Sequence, residues 1–379
     1  MRRDGTKSFA LATVLAAAFG AAWQMPVRAA DAGAEALIEK YRLRESATPV
    51  AAWVRWRRPQ RILVDAGVPG LVDAVKSAAP GVTVISAGDA AEMVARSAGA
   101  DAAIGRTRVI CSEPLLAAGR NLRWLQSIYA GVEACVDKPQ IRDGKLLLSN
   151  MRAIAGAVIA EHAIAMLLAL SRNLPDSFRQ QMHGEWAVMG EGATMRTLQG
   201  KTLLVVGLGG IGEQVARRAD ALGMRVIATR ASNAPAPPFV SYLGKPDELA
   251  NLAASADAVV VTAPLTSTTR GMFDAQMFAR MKPSAYLVNV SRGGLVVTDD
   301  LVHALEARQI AGAALDVTEP EPLPKDHPLW LAPNVILTPH VAAQSDLGEE
   351  AQFAVIAENV RRYVAGARLL SVVDVDRQY

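Results

Sequence analysis

The stretch LLVVGLGGIGEQVARRADALGMRVIATR, residues 203–230, decides the fold. An apolar run leads directly into a glycine-rich turn, which is followed by a helical segment and a second apolar run. A G-x-G-x-x-G turn between a strand and a helix lets the backbone approach a pyrophosphate, whose charge the helix N-terminus stabilises. We therefore predict a dinucleotide-binding α/β fold. The residues expected at the phosphates are Gly207, Leu208, Gly209, Gly210, Ile211 and Gly212.

Arg230 ends the second apolar run, eighteen residues after Gly212. NAD-binding versions of this fold carry an acid near that position, because a carboxylate accepts hydrogen bonds from the ribose hydroxyls. A guanidinium cannot accept those bonds, but it can donate two parallel hydrogen bonds to a phosphate. With Ser232 as a second donor to the 2′-phosphate, the sequence predicts NADP as the cofactor, with NAD possible.

Short apolar runs alternate with helical segments over most of the chain. Five runs before residue 151 predict strands: RILVDAG, GVTVIS, DAAIG, LRWLQSI and KLLLSN. Six later runs predict strands at Thr202–Val206, Arg225–Ala228, Ala258–Thr262, Ala285–Asn289, Ile310–Ala314 and Val335–Leu337. Strands interleaved with helices indicate parallel sheets covered on both faces. We predict two doubly wound domains, a flavodoxin-like substrate domain and a Rossmann dinucleotide-binding domain, with a cleft between them.

The predicted domain boundaries follow from the apolar helix at Ala155–Asn173, which is long enough to cross between domains. Residues 46–150 and 341–379 are expected to form a discontinuous substrate domain, and residues 151–340 the dinucleotide-binding domain.

The first thirty residues differ from the rest. Arg2, Arg3 and Lys7 precede an uncharged apolar run at Phe9–Trp23, and small residues follow. This pattern is typical of a secretory signal, and the run is short for a membrane span. Residues 1–30 are therefore predicted to be a signal peptide of a periplasmic or otherwise exported protein without a membrane span in the mature chain. The alternative is a cytoplasmic protein whose signal-like segment is not used.

Composition argues against a nucleic-acid-binding protein. The 379 residues are 51% hydrophobic and carry a net charge of only +3, so the chain can bury large cores and lacks a strongly basic surface. One basic run at residues 55–61 contains arginines and Trp56 but has no continuation. Cys111 and Cys135 form no metal-ligand spacing, and we interpret both as buried small hydrophobic residues.

Polar residues follow several predicted strands directly. His340 comes after NVILTP, Arg292 after AYLVNVS, and Pro264 after DAVVVTA. Ligands of open α/β sheets bind at the carboxyl ends of the strands, so these residues are expected at one rim. His162, within the apolar segment AEHAIAM, is instead expected to be a hydrogen-bonded core residue.

The loop DVTEPEPLP offers three carboxylates, Asp316, Glu319 and Glu321. A carboxylate beside His340 would favour the imidazolium, an acid that can protonate a carbonyl oxygen. The residues alone leave open which acid is the partner, or whether all three are simply loop charges.

Together these motifs resemble the D-isomer-specific 2-hydroxyacid dehydrogenase family over residues 61–362. They are GLGGIGEQVA, APLTSTTRGMFD, MKPSAYLVNVSRGGLVVTDDLVHAL, GAALDVTEPEPLP and NVILTPHVAA. The resemblance implies the catalytic residues Arg292, Glu321 and His340, with Glu321 as the partner of His340. It also implies that Asp316 lies near the nicotinamide carboxamide, with Pro264 and Val290 among the cofactor-binding residues.

The segment SIYAGVEACVD resembles the family's substrate loop, in which the backbone of Tyr129, Ala130 and Gly131 holds the substrate carboxylate together with Arg292. Trp330 is the candidate contact for the variable end of the substrate. Within the family, the sequence is most similar to NADP-dependent glyoxylate and hydroxypyruvate reductases, and the resemblance implies a homodimer.

The sequence therefore predicts an oxidoreductase that transfers hydride between NADP(H) and a small 2-oxo acid or D-2-hydroxy acid. Two alternatives stay open at this point. One is a dehydrogenase of another small acid such as phosphite; formate-type members carry glutamine where this chain has Glu321. The other is a dinucleotide-sensing binding protein on the same fold.

Overall fold

The structure is a computed structural model that describes residues 25–187, 195–346 and 348–376. Residues 1–24 of the predicted leader lie outside the described residues. Residues 25–30 belong to helix α1, which begins at Met25. The strands are β1 (Arg61–Asp65), β2 (Thr83–Ala87), β3 (Ala102–Gly105), β4 (Trp124–Ser127), β5 (Leu147–Ser149), β6 (Thr202–Val206), β7 (Arg225–Thr229), β8 (Tyr242–Gly244), β9 (Ala258–Val261), β10 (Tyr286–Asn289), β11 (Gly312–Leu315) and β12 (Val335–Leu337).

The helices are α1 (Met25–Tyr41), α2 (Leu71–Ala78), α3 (Ala90–Arg96), α4 (Thr107–Ile110), α5 (Glu113–Ala118), α6 (Glu133–Val136), α7 (Pro139–Arg142), α8 (Gly156–Ser171), α9 (Leu174–His183), α10 (Gly210–Ala221), α11 (Leu249–Ser255), α12 (Ala275–Arg280), α13 (Thr298–Glu306) and α14 (Gly348–Ala365).

Strands β1–β5 form a parallel sheet in the order β2-β1-β3-β4-β5, which is the flavodoxin-like order. All five strands predicted from the sequence are present. The C-terminal helix α14 returns to this sheet, where Tyr363 stacks on Trp124 with ring centroids 4.5 Å apart. Both side chains are fully buried, and Trp124 Nε1 donates to Ser149 Oγ (2.8 Å). Helix α14 thus completes the core of the first sheet. The residue limits predicted for the two domains stay a prediction.

Strands β6–β12 form a second parallel sheet in the order β12-β11-β10-β9-β6-β7-β8, a Rossmann order extended by one strand. The two parallel α/β sheets confirm the predicted fold class. The expectation of six strands in this half was wrong, because β8 is a seventh. β8 has only three residues, lies at the sheet edge and contains Gly244, so its sequence has no apolar run from which a strand could be predicted.

Helix α8 packs on the second sheet. Ala160, Ala163 and Leu167 are fully buried in one core cluster with residues such as Tyr286 and Val288 of β10. Among the described residues, no single helix is long and apolar enough to cross a membrane; α8 and α9 meet that test only as a pair, with a bend of 70° between them.

The interpretation of the two cysteines as independent hydrophobic residues was wrong. Cys111 and Cys135 are both buried, but they form a disulfide with their Cα atoms 5.2 Å apart. Twenty-four residues separate them in the sequence, and only the packing of α4 beside α6 brings them together.

Candidate active site

The candidate site lies at the carboxyl ends of three neighbouring strands, β10, β11 and β12. Their register pairs Asn289 with Leu315 and Leu315 with Leu337, so the three strands end side by side. Arg292 follows the first strand, Asp316 the second and His340 the third. The rim predicted from the sequence is therefore formed by adjacent strands of one sheet.

His340 is hydrogen-bonded to Glu321, with 2.7 Å between Nδ1 and Oε1. Both side chains are partly open to solvent. The backbone of His340 has φ +56°, a left-handed conformation that residues other than glycine rarely adopt. Its backbone N–H donates to the Asp316 carbonyl oxygen (2.8 Å). Glu319, the acid left open as an alternative partner, pairs with Arg270 instead (2.8 Å).

The carboxylate of Asp316 is 1% exposed and fixes the loop that carries the paired histidine. Its Oδ1 accepts from Thr338 Oγ1 (2.6 Å) and from the backbone N–H of Val341 (2.9 Å), and its Oδ2 accepts from the N–H of Ala342 (3.0 Å). His162 extends this network, with Nε2 3.0 Å from Thr338 Oγ1. A buried carboxylate with three hydrogen-bond donors is well compensated, so it can hold the loop rigidly.

Arg292 is oriented from two sides. Buried Asn289 donates to the carbonyl oxygen of Arg292 (2.9 Å), and Arg292 Nη1 donates to the Ser291 carbonyl (2.7 Å). Across the cleft, Arg292 Nε donates to Glu133 Oε1 on α6 (2.7 Å). The Nη2 end lies over Gly131, where any Cβ would collide with it. A residue of the second sheet thus lies against a loop of the first.

The loop at residues 129–131 is held by its carbonyl groups. Three hydrogen bonds do this: Ser127 Oγ to Tyr129 O (2.9 Å), Asn150 Nδ2 to Ala130 O (2.8 Å) and Thr107 Oγ1 to Gly131 O (3.1 Å). The Tyr129 amide donates back to Ser127 Oγ (2.9 Å). Among the described residues, no acceptor binds the backbone N–H of Ala130 or that of Gly131. Both N–H groups can therefore donate to an anionic ligand.

The glycine-rich turn has the shape that a pyrophosphate requires. Gly207 has φ +94°, and a Cβ there would lie 2.7 Å from the Ala263 backbone. A Cβ on Gly212 would collide with the Gly207 carbonyl, whereas one on Gly209 would meet nothing within 4 Å. The turn is thus packed on its inner side and open on its outer side, at the N-terminus of α10. Leu208, Gly210 and Ile211 complete it, with Pro264 and Val290 at the ends of β9 and β10.

The guanidinium of Arg230 is 9% exposed and engaged by the protein. Nε donates to Leu208 O (2.6 Å), Nη2 pairs with Glu213 Oε1 (2.5 Å), and Nη1 donates to the carbonyls of residues 234 and 235. Ser232 beside it is exposed, and its carbonyl accepts from Lys245 Nζ (3.3 Å). The sequence pointed to Arg230 and Ser232 but not to Glu213 or Lys245, which reach this loop from elsewhere in the chain.

The sequence pattern also did not predict an ion pair between Asp65 and Arg106 at the cleft. Asp65, fully buried at the end of β1, accepts from Arg106 Nε (2.7 Å) and Nη2 (3.0 Å) just after β3. The hydrogen bond to Asp65 raises the pKa of Arg106 above its ordinary value. Trp330, the predicted contact of the substrate's variable end, is about half exposed, and its Nε1 donates to Pro324 O (2.7 Å).

The family comparison matches residues 164–342 to the D-isomer specific 2-hydroxyacid dehydrogenase, NAD binding domain. The chain is 32% identical to the human glyoxylate reductase/hydroxypyruvate reductase over 262 residues, 66% of this chain and 76% of that protein. It is 33% identical to the (S)-sulfolactate dehydrogenase of Chromohalobacter salexigens, over 72% of this chain and 88% of that protein.

Among solved structures, the NADPH-dependent glyoxylate/hydroxypyruvate reductase of Sinorhizobium meliloti, in complex with NADP and sulfate, is similar with a TM-score of 0.70 and 28% identity. That match covers 84% of this chain and 100% of the other. The D-3-phosphoglycerate dehydrogenases that the chain also matches are longer, since it spans 49% of the one from Synechocystis at 34% identity.

Proposed function

The chain belongs to the D-isomer-specific 2-hydroxyacid dehydrogenase family, and we propose that it reduces a small 2-oxo acid to the D-2-hydroxy acid with NADPH, as glyoxylate and hydroxypyruvate reductases do. The observation that carries this proposal is the hydrogen bond between His340 and Glu321, on the same rim as Arg292 and in the domain that contains the glycine-rich turn.

In the proposed reaction, the substrate carboxylate binds to the amides of Ala130 and Gly131 and to the Nη2 end of Arg292. Bound NADPH supplies the hydride. His340, whose Nδ1 is hydrogen-bonded to Glu321, donates a proton to the carbonyl oxygen as negative charge develops there. The guanidinium of Arg292 stabilises the same developing charge, and closure of the cleft strengthens both interactions by excluding water.

Two features support NADPH as the cofactor. The turn at residues 207–212 provides the open, glycine-lined backbone and the helix N-terminus that a pyrophosphate needs. Arg230 and Ser232 supply donors at the position of the ribose phosphate, with Lys245 as a further cation. The guanidinium would exchange its bond to Glu213 for the 2′-phosphate, a stronger acceptor of two parallel bonds. NAD remains a possible second cofactor.

The test is NADPH oxidation, followed by absorbance, with glyoxylate, hydroxypyruvate, pyruvate and phenylpyruvate, repeated with NADH. Turnover of at least one 2-oxo acid, faster with NADPH, supports the proposal. Tight NADPH binding without oxidation by any of the four would contradict it and favour a dinucleotide-sensing protein.

We also propose a homodimer. Helix α9 exposes Leu174, Phe178 and Met182 at intervals of four residues, and Trp186 follows fully exposed. The three helical side chains form one apolar stripe, and exposed patches of this kind mark protein interfaces. Analytical ultracentrifugation of the wild-type protein and of a Phe178→Glu/Met182→Glu variant tests this proposal. The wild-type protein should sediment as a dimer and the variant as a monomer.

We also propose that the protein is exported to the periplasm or otherwise out of the cytoplasm. The leader pattern at residues 1–30 supports it, and so does the disulfide of Cys111 and Cys135, because disulfides persist in oxidising compartments. N-terminal sequencing of the mature protein tests it. A chain that keeps Met1 and stays in the cytoplasm would contradict it.

A further inference from the structure

The contact between Glu133 and Arg292 joins the two domains across the cleft. Glu133 is the first residue of α6, the single-turn helix that follows the substrate loop. Its Oε1 accepts from Arg292 Nε (2.7 Å), and both side chains are partly exposed to the cleft. Neither the resemblance nor the strand-end pattern assigns Glu133 a role.

Helix α6 is anchored on the side opposite to Glu133. Val132, Cys135 and Val136 are buried in the core of the first sheet, and the disulfide ties Cys135 to Cys111. The helix is thus fixed to its own domain, while its only carboxylate faces the other domain. A carboxylate on a fixed support can orient the group that it binds.

Two of the three nitrogens of the Arg292 guanidinium have acceptors among the described residues: Nε donates to Glu133 and Nη1 donates to the Ser291 carbonyl. The third, Nη2, lies over Gly131 in the substrate loop, and Glu133 Oε2 reaches the same glycine. Because a guanidinium has five N–H donors in one plane, fixing Nε sets the direction of the Nη edge.

We propose that Glu133 is the positioning residue of Arg292: it holds the guanidinium plane so that the Nη2 end meets the carboxylate of the 2-oxo acid, and it stays bound to Nε when the substrate is present. This inference rests on the proposed function. Since the two residues belong to different domains, the contact also links closure of the cleft to the orientation of the arginine.

The experiment compares Glu133→Ala and Glu133→Gln with the wild-type protein, using the panel acid with the highest turnover. The matched control is Glu113→Ala, because Glu113 is an exposed carboxylate of the same domain that pairs with Lys138, away from Arg292. The KM of the 2-oxo acid, kcat, and inhibition by oxamate, an analogue of pyruvate, are measured, together with NADPH affinity by fluorescence.

We expect Glu133→Ala to raise KM and the oxamate inhibition constant about tenfold, because a charge-assisted hydrogen bond is lost, and to lower kcat much less than Arg292→Ala does, with NADPH affinity kept. Glu133→Gln keeps an oxygen acceptor for Nε and should recover most of the loss. In an Arg292→Ala background, Glu133→Ala should have little further effect, since a positioning residue acts only through its partner.

Three outcomes overturn the inference: an unchanged KM in Glu133→Ala, a lower KM, which would make Glu133 a competitor of the substrate, or an equal effect in both backgrounds. A wild-type protein that turns over none of the panel acids would instead refute the proposed function.

Discussion

Two arginines at the cleft, Arg106 and Arg292, follow parallel strands of different sheets and have opposite surroundings. Arg106 donates Nε and Nη2 to Asp65, a fully buried carboxylate of its own sheet. Arg292 donates only Nε to a carboxylate, and that carboxylate, Glu133, is half-exposed and belongs to the other domain. An arginine whose Nε and Nη2 both bind a buried carboxylate of its own sheet serves the fold. An arginine that pairs with a carboxylate through Nε alone, from across the cleft, keeps its Nη2 end for a substrate.

The His340→Gln substitution should have the largest effect. Glutamine can fill the position but cannot act as an acid near neutral pH, so kcat should fall about 10³-fold. NADPH affinity, measured by fluorescence, should be largely kept. A matched change, His303→Gln on helix α13, should leave kcat unaltered. A His340→Gln variant with most of its activity would contradict the assignment.

The Arg106→Ala and Arg292→Ala substitutions test the comparison directly. Arg106→Ala leaves buried Asp65 without its cation, and unfolding in urea should show a loss of about 1–3 kcal/mol in stability, because the arginine is partly exposed and two backbone N–H groups still bind the carboxylate. Arg292→Ala removes charge stabilisation from the reaction and should lower kcat about 10²–10³-fold with the free energy of unfolding nearly unchanged. If the two variants lost stability and activity in the same proportions, the distinction between them would be wrong.

The Cys111→Ser/Cys135→Ser double variant tests the anchor of α6. Opening a loop closed by residues 24 apart should cost about 3 kcal/mol of unfolding free energy, because the unfolded chain gains freedom. Thermal unfolding with and without reductant gives the measurement. The wild-type protein should approach the double variant when reduced, and a variant that melts at the wild-type temperature would refute a stabilising role.

The smallest expected effect belongs to Arg230→Ser. NADPH affinity should fall about tenfold through the loss of charge-assisted bonds to the 2′-phosphate, while NADH affinity stays the same. Arg225→Ser, an exposed arginine at the start of β7, is the control. If the affinities for NADPH and NADH fell equally, Arg230 would support the turn through its bond to Leu208 and would not select the 2′-phosphate.

Features set by local sequence could be predicted, and features set by tertiary contacts could not. The glycine-rich turn and the polar residues after β10 and β12 stand in contiguous motifs, so their placement at the ends of parallel strands followed from the pattern. The partner of Arg292, by contrast, is 159 residues away in the sequence. The disulfide joins two short helices, and β8 has three residues at a sheet edge. Neither carries a periodic signal.

Hydride transfer to C2 of a 2-oxo acid is the central claim, and the most direct test uses NADPH with deuterium at both C4 positions. Hydroxypyruvate is reduced by the wild-type protein, and the product is analysed by mass spectrometry and chiral chromatography. The account predicts D-glycerate with one deuterium at C2. Product without deuterium, the L enantiomer, or no product from hydroxypyruvate or from any of the other three acids at saturating substrate would contradict it.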